Sequence, residues 1–451
     1  MKTLSFLNSN PPLTPFFQRV GLSVLLLLGL LLCNTAFAIP TIQHWQTDNG
    51  ARVYFVPAPD LPMVDVEVTF DAGSARDGDK PGLSMLTNGL LNEGAGGHSA
   101  DQIAEHFDSL GAEFSNSVDR DTATVSLRSL TESQLLQPAL EMLTLLLAKP
   151  DFDDISFERV RQQMLVGLQY QQQSPNAIAE KAFYSAVFGT HPYASLAGGT
   201  PESVAALTRD DVKAFHARHY VAKNALVAIV GALDRKAAEE LANTVVSQLP
   251  TGEAAPALPP VAELSEAQTI AINHPSTQTH ILIGQPGMKR GDPDYFSLYV
   301  GNYMLGGSGL VSRLAEEVRE KRGLAYSAYS YFSPLRVAGP FLASAKTRNE
   351  QAAQALQVVQ DTLRNFVEKG PSEAELKKAK QGITGKFPLR IKSNSNIIGY
   401  LSMIGFYSLP LDYLHTFNNN VEAVTLEMIK DAFKRRLHLD KLVTVTVGGK
   451  R

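Results

Sequence analysis

Cysteine is almost absent from this sequence: Cys33 is the only one among 451 residues. No disulfide can form within the chain, so stability has to come from an apolar core, which a chain this long can build. Charge is sparse as well, at 19% of residues, with a formal net charge of −4. No basic field points to nucleic acid, and no long run of like charge points to a solvated tail. A G-x-x-x-x-G-K-[ST] phosphate loop is missing. GGSGL at 306–310 is not a G-x-S-x-G nucleophile elbow, because Leu310 stands where the last glycine belongs. No Ser/His/Asp spacing suggests a nucleophilic hydrolase.

What is present is a globular composition, 44% apolar, on a length that implies two or more domains. The N-terminus reads as a secretory signal. Lys2 and Arg19 are the only charges before Ala38, VGLSVLLLLGLLLC is too short to span a bilayer, and Ala36-Phe37-Ala38 suits cleavage after Ala38. The expected destination is the periplasm, with no membrane anchor left in the mature chain. A lipoprotein acylated at Cys33 is the alternative, although leucines crowd the positions before it.

One linker stands out, PTGEAAPALPP at 250–260, whose composition is extended and solvated. It divides the chain into a first half (39–249), a connection (250–262) and a second half (263–451). The halves look duplicated. LTRDDVKAFHARHYVAKNALVAIVG, ending at Gly231, aligns without a gap on VTLEMIKDAFKRRLHLDKLVTVTVG, ending at Gly448. Thr208 pairs with Thr425, Lys213 with Lys430 and Arg218 with Arg435. Each copy runs from an amphipathic helix into a β-branched strand.

Strand patterns such as MVDVEVTFDAG, DTATVSLRSL and THILIGQPG alternate with helical ones. Ser99-x-x-Gln102, Thr131-x-x-Gln134 and Ser372-x-x-Glu375 read as capping boxes that open helices. The expected class is α+β: two halves, each a mainly antiparallel sheet covered by helices on one face, together forming a clamshell. His216 and His219 are the one close histidine pair. With no third ligand evident they read as a surface helix rather than a metal site, and His98, His106 and His191 fit no ligand spacing.

Residues 82–95, GLSMLTNGLLNEGA, and the segment GGSGLVSRLAEEVREKRGLAYSAYS carry a resemblance. The chain resembles the pitrilysin and insulysin type of zinc peptidases, and in particular their short bacterial, processing-peptidase-like members. The likeness extends over essentially everything from about residue 41 to 450. Catalytic members carry G-x-x-H-x-x-E-H-x-x-x-x-G-[TA] on a helix of the first half. On that frame the first metal histidine falls on Met85, the catalytic glutamate on Asn88 and the second histidine on Gly89. The distal acidic ligand falls on Val166 and Gly167. A thioether, an amide and a missing side chain cannot replace these groups. The resemblance therefore implies a retained frame that holds no metal and lacks catalytic residues of its own.

In the second half the resemblance implies that Arg319 and Tyr326 hydrogen-bond peptide substrate opposite a zinc, steadying an oxyanion. From the residues alone, Arg319 could instead pair with a glutamate such as Glu316, and Tyr326 could be half-buried sheet packing. Gly306, Gly307 and Gly309 form either a substrate-capturing loop, as in processing-peptidase subunits, or a tight strand-to-helix connection. The expected function is that of a non-catalytic partner subunit in a zinc peptidase heterodimer. The mate, a paralogue with H-x-x-E-H, would bring the zinc, and the substrates would be extended peptides. A stand-alone peptide-binding or scaffold protein is the alternative.

Overall fold

The computed structural model describes residues 41–449. The signal segment, its cleavage position and Cys33 lie outside the described residues.

Each half is built on one sheet. The first uses β1 (Gln43–Gln46), β2 (Arg52–Pro57), β3 (Met63–Phe70), β4 (Glu113–Val118), β5 (Ala123–Leu130) and β6 (Ala225–Gly231). Their order is β1-β2-β6-β3-β5-β4, antiparallel except for β2 beside β6. The second uses β7 (Gln268–Ile272), β8 (Gln278–Pro286), β9 (Ala325–Phe332), β10 (Pro340–Arg348) and β11 (Val443–Val447). Their order is β9-β10-β8-β11-β7, antiparallel except for β11 beside β7. Dropping β1 makes the two sheets topologically the same, as expected of a duplication. The repeat seen in the sequence falls on matching elements. Helix α6 (Arg209–His219) and helix α13 (Leu426–Arg436) are the same length and are capped by Thr208 and Thr425.

Besides the short helix Pro201–Ala206, the remaining helices of the first half are α1 (Leu83–Gly89), α2 (Ala100–Ser109), α3 (Ser133–Ala148), α4 (Asp154–Gln172), α5 (Pro175–Phe188) and α7 (Arg235–Val246). The second half adds α8 (Tyr295–Asn302), α9 (Ala352–Lys369), α10 (Glu373–Arg390), α11 (Asn394–Phe406) and α12 (Tyr413–Ala423). In the first half α1, α2, α3, α6 and α7 bury one face of the sheet in a core of Val66, Val68, Phe70, Val125, Leu140 and Val227. The capping boxes at Ser99 and Ser372 form. The one expected at Thr131 does not: α3 starts two residues later, and Gln134 turns to the Glu132 carboxylate.

The second face of each sheet is also covered, and by the other half. Helix α5 of the first half packs on the second sheet, where Phe183, Ala179 and Val187 meet Leu282, Leu342, Val443 and Val445. Helix α11 of the second half packs on the first sheet. Each occupies the same place in its half, directly after a long helix, α4 or α10. The approach of α11 is close because Gly405 has no side chain: a β-carbon there would sit 2.3 Å from Leu226 and 2.6 Å from Tyr54. Arg52 donates to the Gly405 carbonyl at 2.8 Å. A polar seam adds to the lock. The buried Asp121 carboxylate accepts from the hydroxyls of Tyr193 and Tyr407 and from the Arg336 backbone, at 2.5, 3.0 and 2.8 Å. The connection is strapped down as it crosses between the halves, with Arg76 donating to Pro256 O and Ala255 N donating to Asn224.

Candidate functional site

Helix α1 is short and deeply set. Asp77 caps it, accepting from Gly82 N and Ser84 N at 2.8 Å each, and burial pushes this carboxyl up to about 7. Gly82 has φ +98°, where a side chain would be strained. Asn88 is 2% exposed. Its side-chain amide donates to the Tyr220 hydroxyl at 3.2 Å, and its backbone carbonyl accepts from the Asn116 amide at 2.8 Å. Tyr220, itself buried, lies against Phe70 and stacks on His216. The position where the family places a proton-transferring glutamate is thus a locked amide within an aromatic core.

The neighbours of α1 are no better suited to a cation. The face of α4 turned towards it presents Val160 and Leu168. A β-carbon at Gly89 would lie 3.7 Å from Val160, and one at Gly198 would touch both Met85 Sδ and Leu168, at 3.8 and 3.7 Å. Val166 points outward and is 48% exposed, and a β-carbon at Gly167 would meet open space. A thioether among aliphatic groups does not match the nitrogen, thiolate or carboxylate set that zinc requires. The residues present do not fit the metal.

The histidine pair is not on a surface. His216 is half-buried and donates to Leu147 O at 2.9 Å, and desolvation lowers it to about 4. His219 is buried against Phe215. The expectation that the pair lies on a surface helix fails because the apolar face of α6 runs through Val212 and Phe215 and continues onto His219, with His216 half-buried beside it.

In the second half, the segment before Gly323 winds as a π-helix, Ala315–Glu320. Gly323, with φ +60°, ends it and releases the chain into β9. Arg319 contacts Glu320 at 3.3 Å rather than Glu316, which pairs with Lys321. Its guanidinium lies 5.1 Å from the centre of the Tyr326 ring, within cation–π range. Tyr326 sits at a bulge in the β9–β10 ladder and is 81% exposed. It is not half-buried sheet packing.

The first half contains the same joint with different chemistry. Helix α2 ends at Gly111, φ +61°, and β4 follows. Four residues before this glycine and three after it stand Phe107 and Phe114, stacked at 5.4 Å. At the same offsets from Gly323 stand Arg319 and Tyr326.

The glycine turn belongs to a different place. Gly306, Gly307 and Gly309 line a cleft of about 560 Å³ with Arg290, Tyr295, Tyr299, Tyr329, Tyr331 and Arg390. Neither Arg319 nor Tyr326 lines it. Gly306 is needed for packing, since a β-carbon would fall 2.3 Å from the Ser330 backbone. Gly309 has φ +67° and faces open space. Sequence reasoning found neither Tyr220 nor the two cleft arginines. Tyr220 follows a helix that drew attention for its repeat and its histidines, and no local pattern links Arg290 to Arg390 across about a hundred residues.

Comparison with known proteins agrees with this geometry. Residues 52–200 match the family described as Insulinase (Peptidase family M16), and residues 206–383 match the Peptidase M16 inactive domain. The crystal structure of a peptidase M16 inactive domain from Pseudomonas fluorescens is 41% identical, with a TM-score of 0.88 over 91% of this chain and 98% of that one. The chain belongs to the M16 peptidase family. Among its M16 relatives, the non-peptidase homolog YmxG of Helicobacter pylori is 28% identical over 95% of this chain and 98% of its own length. The uncharacterized zinc protease YmxG of Bacillus subtilis is 24% identical over 86% of this chain and 94% of its own. These matches, with the locked Asn88, support a non-catalytic role for this M16 protein.

Proposed function

We propose that this chain is the substrate-binding, non-catalytic subunit of a periplasmic zinc peptidase heterodimer. Its mate is a paralogue with an intact H-x-x-E-H helix, and the mate carries the zinc. The substrates are extended peptides.

The observation that carries this reading is the Arg319–Tyr326 pair, its phenol exposed and its guanidinium partly so. The same joint in the first half closes with two phenylalanines, so the fold does not demand a guanidinium and a phenol there. Both are hydrogen-bond donors, suited to the oxyanion that develops when a peptide carbonyl is attacked. A zinc on the mate would polarise the carbonyl and activate water. This chain would bind the peptide, orient it and hold the developing charge. Strands β4 and β9 each end a sheet, and an extended peptide can add to such an edge. Export is supported by the basic and then apolar N-terminus ending in Ala36-Phe37-Ala38; lipid attachment at Cys33 is the competing topology.

The test is peptidase activity of this chain, of the mate, and of the two mixed. Activity confined to the mixture and lost in Arg319→Ala and Tyr326→Phe supports the shared site. Full activity of both variants in the mixture sinks it.

A further inference from the structure

The cleft beside the glycine turn has two arginines in its lining and no aspartate or glutamate. Arg390 donates to the Tyr299 hydroxyl at 3.1 Å. The Arg290 guanidinium lies within cation–π reach of both Tyr295 and Tyr407, at 5.8 and 5.7 Å from their ring centres. Its Nε is buried and has no hydrogen-bond partner among the described residues. A buried donor left unmade is costly, and a group that fills it recovers that cost. Around the two cations stand five tyrosines, with Tyr329 and Tyr331 stacked at 6.2 Å on neighbouring same-side positions of β9. Arginine matches the planar geometry of a carboxylate through paired N–H groups, and the phenol rings offer flat surfaces to an extended chain.

We infer that this cleft is a subsite for a carboxylate of the bound peptide, held by Arg290 and Arg390 with tyrosine rings flanking the backbone. The inference rests on the peptide-binding role proposed above and adds a substrate preference to it. The carboxylate has two possible sources, an acidic side chain or the peptide's C-terminus. Cleft size accommodates either: about 560 Å³ lies within the range of small-ligand pockets.

The experiment measures binding of labelled, unstructured peptides to the purified chain alone, with no mate present. Matched peptides carry glutamate or glutamine at one internal position, each with a free or an amidated C-terminus. The expected result is about 10- to 100-fold tighter binding of the carboxylate-bearing form, the range for a charge-assisted contact. The glutamate/glutamine pair and the free/amidated pair show which source is read. Arg290→Gln and Arg390→Gln should each remove most of this preference, while Arg364→Gln, an exposed change on α9 outside the cleft, should leave it intact. Arg390 is exposed, so its variant decides the matter if Arg290→Gln does not fold. Equal affinity for all peptides, no binding of any, or a preference unchanged in Arg390→Gln overturns the subsite. Because binding is read without hydrolysis, these outcomes are separate from failure of the mixed-activity test.

Discussion

Two joints in this molecule share a layout and differ in chemistry. In the first half, helix, left-handed glycine and edge strand bring Phe107 against Phe114. In the second they bring Arg319 against Tyr326. Phe107 is 4% exposed and part of the main core, whereas Tyr326 stands in solvent. The fold is thus satisfied by an apolar clasp, and the second copy carries hydrogen-bond donors in its place. A part-exposed polar pair where the duplicate packs one phenylalanine on another adds little to stability and fits the substrate contact proposed above.

Breaking each clasp separates the two uses. Phe107→Ala should lower unfolding free energy by about 3–5 kcal/mol, as expected for a buried aromatic. Arg319→Ala should change it by no more than about 0.5 kcal/mol, the usual range for a surface site. Denaturant unfolding of both variants checks this, and equal losses would erase the distinction. Activity should show the reverse. In the mixture with the mate, Arg319→Ala should cost about 100- to 1000-fold in kcat, typical of a lost oxyanion donor.

A second contrast lies in the paired helices α6 and α13. His216 occupies the position that Phe433 fills in the repeat; Phe433 is buried and His216 half-buried. An imidazole held down to about 4 in the folded chain takes up its proton more readily when unfolded. Its contribution is therefore complete above about pH 6.5 and is lost as pH falls towards about 4. His216→Phe should remove that loss. The stability difference between wild type and variant should change by on the order of 3 kcal/mol across this window. A constant difference between pH 7 and pH 4 refutes the assignment.

The smallest expected effect concerns the exchanged helices. Gly405→Ala forces a β-carbon against Leu226 and Tyr54 and should cost about 1–3 kcal/mol through overpacking. Gly399→Ala, on the same helix but with open space at its β-carbon, should be neutral or slightly stabilising. Thermal unfolding of the pair measures how tightly α11 is held.

Much of this was legible in the chain itself. The gap-free repeat from Thr208 to Gly231 and from Thr425 to Gly448 fell on matching helices and strands because caps and β-branched runs are local signals. The loss of metal-binding chemistry at Met85, Asn88 and Gly89 could be read from side-chain identity alone. The exchange of α5 and α11 could not, because an apolar face does not name the sheet it will cover. Counting along α4 pointed to Val166 and Gly167, yet the face turned to α1 carries Val160 and Leu168. The π-helical windings at Tyr303–Gly307 and Ala315–Glu320 left no mark in the hydrophobic pattern. The arginine cleft joins residues from distant segments, and only the folded chain brings them together.

The central claim is that this polypeptide depends on a second protein for any peptide-bond cleavage. Metal analysis of the purified chain, run alongside a peptidase assay with and without chelator, tests it most directly. The account predicts zinc far below one per chain and no turnover until the mate is added. Zinc at one per chain with chelator-sensitive turnover, in a preparation free of any mate, contradicts it.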